Sequence, residues 1–188
     1  MKITYWCDFI CPNSYIGLHR LKSAVKELNL EVEWDMKAFE LKNYSFDKDI
    51  EEIAESEGVK INLSNLKIVN TRNAHRMVKF IQNKDPSKRE EFIEKIFESY
   101  FKENNDISDI NVLNKIAKEF EFKMCDKYDI EVESDIEDAV FNGITSIPHF
   151  IITFGEESLI IPGAFEKDVF KVAIEDMLSG EIKNKTFI

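Results

Sequence analysis

The sequence predicts an α/β fold in which a sheet-forming chain is interrupted by a wholly helical segment. Three observations carry this expectation. A strand, a helix and a second strand follow one another at the start of the chain, residues 49–121 hold no convincing strand, and strands return only from Ile147, as a pair followed by a final helix.

Lys2 to Trp6 (KITYW) is rich in β-branched and aromatic residues and reads as a short strand. Pro12 suits the first turn of a helix because it lacks an N–H that would be unsatisfied there anyway. Behind it Leu18, Leu21, Val25 and Leu28 recur at helical spacing, which predicts an amphipathic helix over 12–28. Glu31 to Trp34 (EVEW) alternates polar and apolar and leads into a second strand, giving a right-handed βαβ unit with helices packed on a sheet. In the middle, Leu66, Val69, Asn73/Ala74, Met77 and Ile81 form one helical stripe. Asp85-Pro86 is a good helix start, after which Phe92/Ile93, Ile96/Phe97 and Tyr100/Phe101 repeat every four residues. Ser108 is placed to cap a further helix carrying Ile110, Leu113, Ile116 and Phe120. Residues 44–121 therefore read as a bundle of about four helices with its own core, inserted between the two parts, 1–43 and 122–188, of an α/β domain.

Ser134-Asp135-Ile136-Glu137 is a capping box that opens a short helix stopping at Gly143. Ile147 to Phe154 and Leu159 to Pro162 read as strands joined across Gly155-Glu156-Glu157, an antiparallel hairpin. A last helix from Glu166 to Leu178 buries Val169, Phe170, Ala173, Ile174 and Met177 and ends before Gly180. This order is that of a thioredoxin-like fold with an inserted α-helical domain.

Bulk properties narrow the function. The 188 residues make one ordinary domain with an elaboration, or two small ones, and the 15 phenylalanines can fill a real core. A net charge of -11 repels phosphate backbones and anionic lipid, so neither nucleic acid nor membrane is expected as a partner; solubility is the simpler account of the charge. The start, MKITYWCDF, has no cleavage site of a signal peptide, and no apolar run approaches the roughly 20 residues needed to span a bilayer. The expected compartment is the cytoplasm, where thiols stay free. Cys7, Cys11 and Cys125 are an odd number without the paired spacing of a zinc ribbon, so neither a disulfide framework nor a metal site is expected.

The stretch Asp8 to Tyr15 (DFICPNSY) carries the chemistry. Cys11 stands at a helix start, near free backbone N–H groups and the positive end of the helix dipole. Such surroundings favour thiolate and can bring a thiol pKa into the range of roughly 3.5 to 7.5. The thiolate is the nucleophile of thiol–disulfide exchange. The opposing reading is a small buried hydrophobe, the common fate of a free cysteine. Position alone leaves both open.

Beyond position, the chain resembles the DsbA-like thioredoxin-fold proteins, most closely their FrnE-like branch, over nearly its whole length. That family opens with an aspartate, two apolar residues and C-P-W-C-Y-I-G, against Asp8-Phe9-Ile10-Cys11-Pro12-Asn13-Ser14-Tyr15-Ile16-Gly17 here. An N-T-x-x-A-H-R segment is matched by Asn70-Thr71-Arg72-Asn73-Ala74-His75-Arg76, and a later Y-F and D-I-S-D pair by Tyr100-Phe101 and Asp106-Ile107-Ser108-Asp109. A G-[VI]-x-[GS]-[VI]-P-x-F segment is matched by Gly143 to Phe150, and a strand ending in G-A by Gly163-Ala164. The resemblance implies a cis Ile147–Pro148 bond facing Cys11. It implies that the backbone of Ile147 binds an extended peptide or glutathione, with Pro12 and Asn13 beside it, and that Asn70 and His75 overlook the cleft. His75 also reads as a packed or capping histidine.

The departure is Ser14, where relatives carry a second cysteine. Its hydroxyl can steady the Cys11 thiolate but cannot attack a mixed disulfide, so Cys11 would act alone. Cys7 is a possible resolving thiol only if a turn draws it near. An extended stretch between the two would hold the Cα atoms beyond the ~7 Å limit for a disulfide. Cys125 reads as a core thiol. The leading expectation is a monothiol disulfide oxidoreductase or isomerase with no covalently bound cofactor. It would take glutathione or another low-molecular-weight thiol as cosubstrate and a disulfide-containing peptide or small molecule as partner, as a monomer or homodimer. The alternatives are a glutathione-dependent enzyme resembling 2-hydroxychromene-2-carboxylate isomerase or kappa-class glutathione transferase, and a non-catalytic peptide-binding relative.

Overall fold

The computed structural model describes residues 1–180 and 185–186; the expected end of the α/β part at 188 lies outside the described residues. Its sheet has the order β2-β1-β3-β4-β5. Strand β1 (Lys2–Cys7) pairs parallel with β2 (Glu33–Ala38) and antiparallel with β3 (His149–Phe154). Strand β4 (Glu157–Pro162) returns antiparallel beside β3, as the hairpin reading expects, and β5 (Lys185–Thr186) adds a parallel edge that the sequence pattern does not announce. Register decides where the site forms. Trp6 lies opposite His149, so the chain leaving β1 and the chain entering β3 come to the same end of the sheet. Glu33 lies opposite Lys2, which places β2 two residues later than the alternation in EVEW suggests.

Helix α1 (Pro12–Glu27) starts at the proline and buries Tyr15, Ile16, Leu18, Leu21, Ala24 and Val25. It lies on one face of the sheet beside α7 (Lys167–Ser179), which Gly180 ends at a φ of 77° that glycine adopts without strain. The middle of the chain holds α2 (Ile50–Ser56), α3 (Arg72–Lys84), α4 (Arg89–Phe97) and α5 (Ile110–Glu119), with α4 extended by a π turn over Glu98–Lys102. Leu66 and Val69 are not part of the α3 stripe. Asn65 turns the chain at φ 68°, and the Asn70 side chain accepts from Arg72 N at 3.0 Å, so the helix opens only at Arg72. Likewise Pro86 sits in a single 3₁₀ turn (Pro86–Lys88), and α5 is capped by Asp109, which accepts from Asn111 N at 2.8 Å, while Ser108 turns to Asp106.

Two further expectations are corrected. The helical segment has no core of its own. One continuous cluster runs from Ile3, Tyr5, Ile152 and Phe170 through α1 to Phe92, Phe97, Phe101 and Leu113. The join is aromatic: Tyr15 of α1 stacks on Phe97 at 4.8 Å and 7°, and Phe9 packs on the same ring at 4.9 Å. Helix α6 spans Asp129–Phe141, so Ser134 and Glu137 lie inside it and form no capping box. Within it Asp135 is buried against the edge of β2, where its carboxylate accepts from Ala38 N at 2.8 Å. Gly143, at φ 68°, follows the helix end as expected. No helix among the described residues is long and apolar enough to cross a membrane.

Candidate active site at Cys11

Four residues carry the chain from β1 into α1. Cys11 N donates to Asp8 O at 3.1 Å, closing a turn, and Cys11 then takes the extended conformation of a helix N-cap (φ -94°, ψ 107°). Its own carbonyl accepts from Ser14 N at 3.0 Å and Tyr15 N at 3.3 Å. From the other side of the sheet end, the Ile147–Pro148 peptide is cis, as the resemblance implies. The Cys11 sulfur reaches the Ile147 carbonyl at 3.9 Å, in line for the thiol to donate.

The cis-proline loop is fixed from below. Pro148 O accepts from Gly163 N at 2.8 Å, while Arg20, a buried cation of α1, donates to Ala164 O at 2.8 Å and to Glu166 at 2.7 Å. Gly17 completes the contact. A β-carbon there would lie 3.0 Å from both Ala164 Cβ and Pro148 Cγ, so any larger residue would press on this loop unless it gives by a few tenths of an ångström.

Electrostatics at the thiol differ from the expectation of a favoured thiolate. Cys11 is only 1 % exposed, and burial pushes its pKa up. The Ser14 hydroxyl and the backbone N–H groups of Ser14 and Asn13 pull it down, as a helix start should, but the Asp8 charge adds to the rise and burial prevails. Ser14 is itself buried. Its hydroxyl completes no hydrogen bond with the protein, and it is among the groups that pull the Cys11 thiol down. Cys7 points into the main core, and burial followed by the charges of Asp8 and Cys11 pushes its thiol well up. The link between Cys7 and Cys11 is a turn rather than an extended stretch, and both thiols are free. Cys125 is half-buried at the edge of the core, its N–H donating to the Met77 sulfur at 3.0 Å.

Asn70 and His75 do not share one setting. Asn70 is exposed and serves the start of α3. His75 is 1 % exposed, tilted against Phe9 at 5.0 Å, with Nε2 3.4 Å from the fully buried Asp8 Oδ1; the pair is within ion-pair range without completing a hydrogen bond. Asp8 Oδ2 accepts from Leu41 N at 2.7 Å and so ties the active-site turn to the loop after β2. Two residues at this end escape sequence reasoning. Asn13 Nδ2 donates to the Tyr44 hydroxyl at 3.4 Å, and His149, next to Pro148, is half-buried against Trp6 with its pKa lowered by burial. No periodicity or spacing marks Tyr44, which stands in a polar loop; His149 is visible only by adjacency to the proline.

The family model of the DSBA-like thioredoxin domain matches residues 2–175. The chain is 29 % identical over 202 residues to the uncharacterized protein YwbO of Bacillus subtilis, covering 94 % of this chain and 96 % of that one. Among solved structures it resembles SCO1869 of Streptomyces coelicolor, a probable DsbA oxidoreductase, with a TM-score of 0.81, 19 % identity and coverage of 100 % and 94 %. It also resembles the cytosolic disulfide reductase DsbM of Pseudomonas aeruginosa with GSH, with a TM-score of 0.68, 12 % identity and coverage of 95 % and 100 %.

Proposed function

Because the chain belongs to the DsbA-like thioredoxin family, we propose that it is a thiol–disulfide oxidoreductase or isomerase that works through Cys11 alone. The observation that carries this reading is the Cys11 sulfur at the start of α1, 3.9 Å from the Ile147 carbonyl of the cis-proline loop. A substrate sulfur bound along that loop meets the thiol directly. The Cys11 thiolate attacks one sulfur of a disulfide, the S–S bond breaks, and the departing thiolate takes up a proton. A second thiol then attacks the mixed disulfide and returns Cys11 to the reduced state. Ser14 cannot be that second thiol, so a small thiol from solution supplies it. The GSH held by the DsbM neighbour supports glutathione in this role. Three free cysteines agree with a cytoplasmic setting, where such a thiol is abundant.

The test uses a fluorescent peptide joined to glutathione through a disulfide. Wild type should release the peptide at a rate that is still rising at about pH 9, because burial lifts Cys11 above the ordinary thiol value near 8.5 and less thiolate is present at neutrality. Cys11→Ser should lose at least about a hundredfold of that rate, since a serine hydroxyl is not a nucleophile for disulfides at this pH. An unchanged rate would sink the proposal. The spare Ser14 hydroxyl favours one second reading, a glutathione-dependent isomerase or transferase. Saturable transfer of glutathione to an aromatic electrophile that survives Cys11→Ser would select it.

A further inference from the structure

We propose that Tyr44 is a further catalytic residue, whose hydroxyl donates to the Cys11 sulfur and steadies it both as the attacking and as the leaving thiolate; this rests on Cys11 being the nucleophile. The loop that follows β2 has no regular structure, yet it is held against the active-site turn at three points. Phe39 N donates to Cys7 O at 3.1 Å, Leu41 N donates to Asp8 Oδ2 at 2.7 Å, and Asn13 Nδ2 donates to the Tyr44 hydroxyl at 3.4 Å. Phe46 packs edge-on against the Tyr44 ring at 5.3 Å and 66°, which fixes the ring plane. Tyr44 is thus placed from both sides, by the residue two after Cys11 and by its own loop.

The direction of the hydrogen bonds assigns the role. Asn13 gives its N–H to the phenol oxygen, so the hydroxyl proton is left free to turn to the sulfur of Cys11, two residues before Asn13, once that sulfur ionises. Burial, followed by the charges of Cys11 and Asp47, holds the phenol above its ordinary value, so it remains a donor while Cys11 ionises. The other groups bearing on Cys11 are Asp8, which opposes the thiolate, and Ser14 and the Asn13 backbone N–H, which favour it. A thiolate only 1 % exposed has little water to solvate it, so each fixed donor counts for more than it would in solution. No proton leaves Tyr44 in the exchange. The S–S bond of the substrate breaks as the Cys11–sulfur bond forms, and the hydroxyl moves its hydrogen bond with the charge.

Tyr44→Phe removes the donor and keeps the ring. It is made beside the parent in a Cys7→Ala, Cys125→Ala background, so that Cys11 is the single thiol. Absorbance of the thiolate and the rate of alkylation by iodoacetamide are followed against pH. The midpoint should move up by about one unit, the size of a lost hydrogen bond to a charged group, and peptide release at pH 7 should fall about tenfold. Asn13→Ala, which frees the phenol to turn away, should move the midpoint the same way by less. A midpoint that stays in place, or moves down because Tyr44 only covers the sulfur, overturns the proposal. A midpoint that moves up in protein that releases no peptide leaves the Tyr44 contact standing and removes the oxidoreductase reading instead.

Discussion

At Cys11 the N–H groups of the helix start favour the thiolate while burial and Asp8 oppose it. The sequence shows the first influence, because a cysteine before a proline at a helix start is a local pattern. It cannot show the second, because the sulfur is buried against groups far away in the chain, Ile147 among them, whose carbonyl lies 3.9 Å away. Gly17 illustrates the same divide. In sequence it is one glycine inside a helix, where alanine would ordinarily be favoured by about 0.5–1 kcal/mol. In the fold a β-carbon at Gly17 would crowd Pro148 and Ala164 at 3.0 Å. Gly17→Ala should therefore destabilise by about 1–2 kcal/mol, overpacking outweighing helix propensity. It should also slow peptide release, because the loop facing Cys11 is what gives way. A thermal melt and the release assay check both, and a melting temperature above wild type would show that the loop yields without strain.

Among the elements, α6 is the one whose sequence signal misleads. The residues Ser134 to Glu137 fit a capping box, but the helix already runs from Asp129, and what holds its middle is tertiary. Here Ala38 N, with Lys79 at 2.5 Å and Lys37 at 3.1 Å, takes the Asp135 carboxylate, and Trp6 donates to Asp135 O at 3.1 Å. The helix that results clasps the free edge of β2 and protects it from pairing with another chain. Asp135→Ala should cost on the order of 3 kcal/mol, since it leaves Ala38 N and two mostly covered ammonium groups without their acceptor. Denaturant titration measures that loss, and a change below about 1 kcal/mol would mean the lysines simply turn to solvent. The amphipathic helices α1, α5 and α7 are legible by contrast, because their apolar spacing and their terminal residues act within a few turns.

Over the whole molecule, the inserted helices and the sheet share one core, so the two parts resist unfolding together. The surface is strongly acidic, and several carboxylates are held by lysine or arginine. Asp129 is lowered by its bond to Arg72, Glu98 by Lys95 and Glu27 by Lys167, while at Asp35 burial pushes up but Lys2, Lys37 and Lys79 outweigh it. Each of these groups ionises at lower pH in the folded chain than the roughly 3.9 to 4.3 of the unfolded one. Their contribution is therefore complete above that range and is lost as pH falls through the folded values. The melting temperature should be level from about pH 7 to 5 and fall below about pH 4. A melting temperature that rises between about pH 4 and 3 would mean that relief of the net charge of -11 dominates instead.

The sequence by itself determined the α/β class, the strand–helix–strand start, the hairpin and closing helix, and Cys11 at a helix start, because periodicity, proline and glycine act over a few residues; the cis Ile147–Pro148 bond facing Cys11 followed from the family resemblance instead. Only the tertiary structure decided that the insertion shares the sheet's core, that α6 begins at Asp129, that Asp8 lies beside His75, and that Cys11 is buried beside Ile147. Those outcomes depend on which distant groups close over a residue, and burial depends on its neighbours in space.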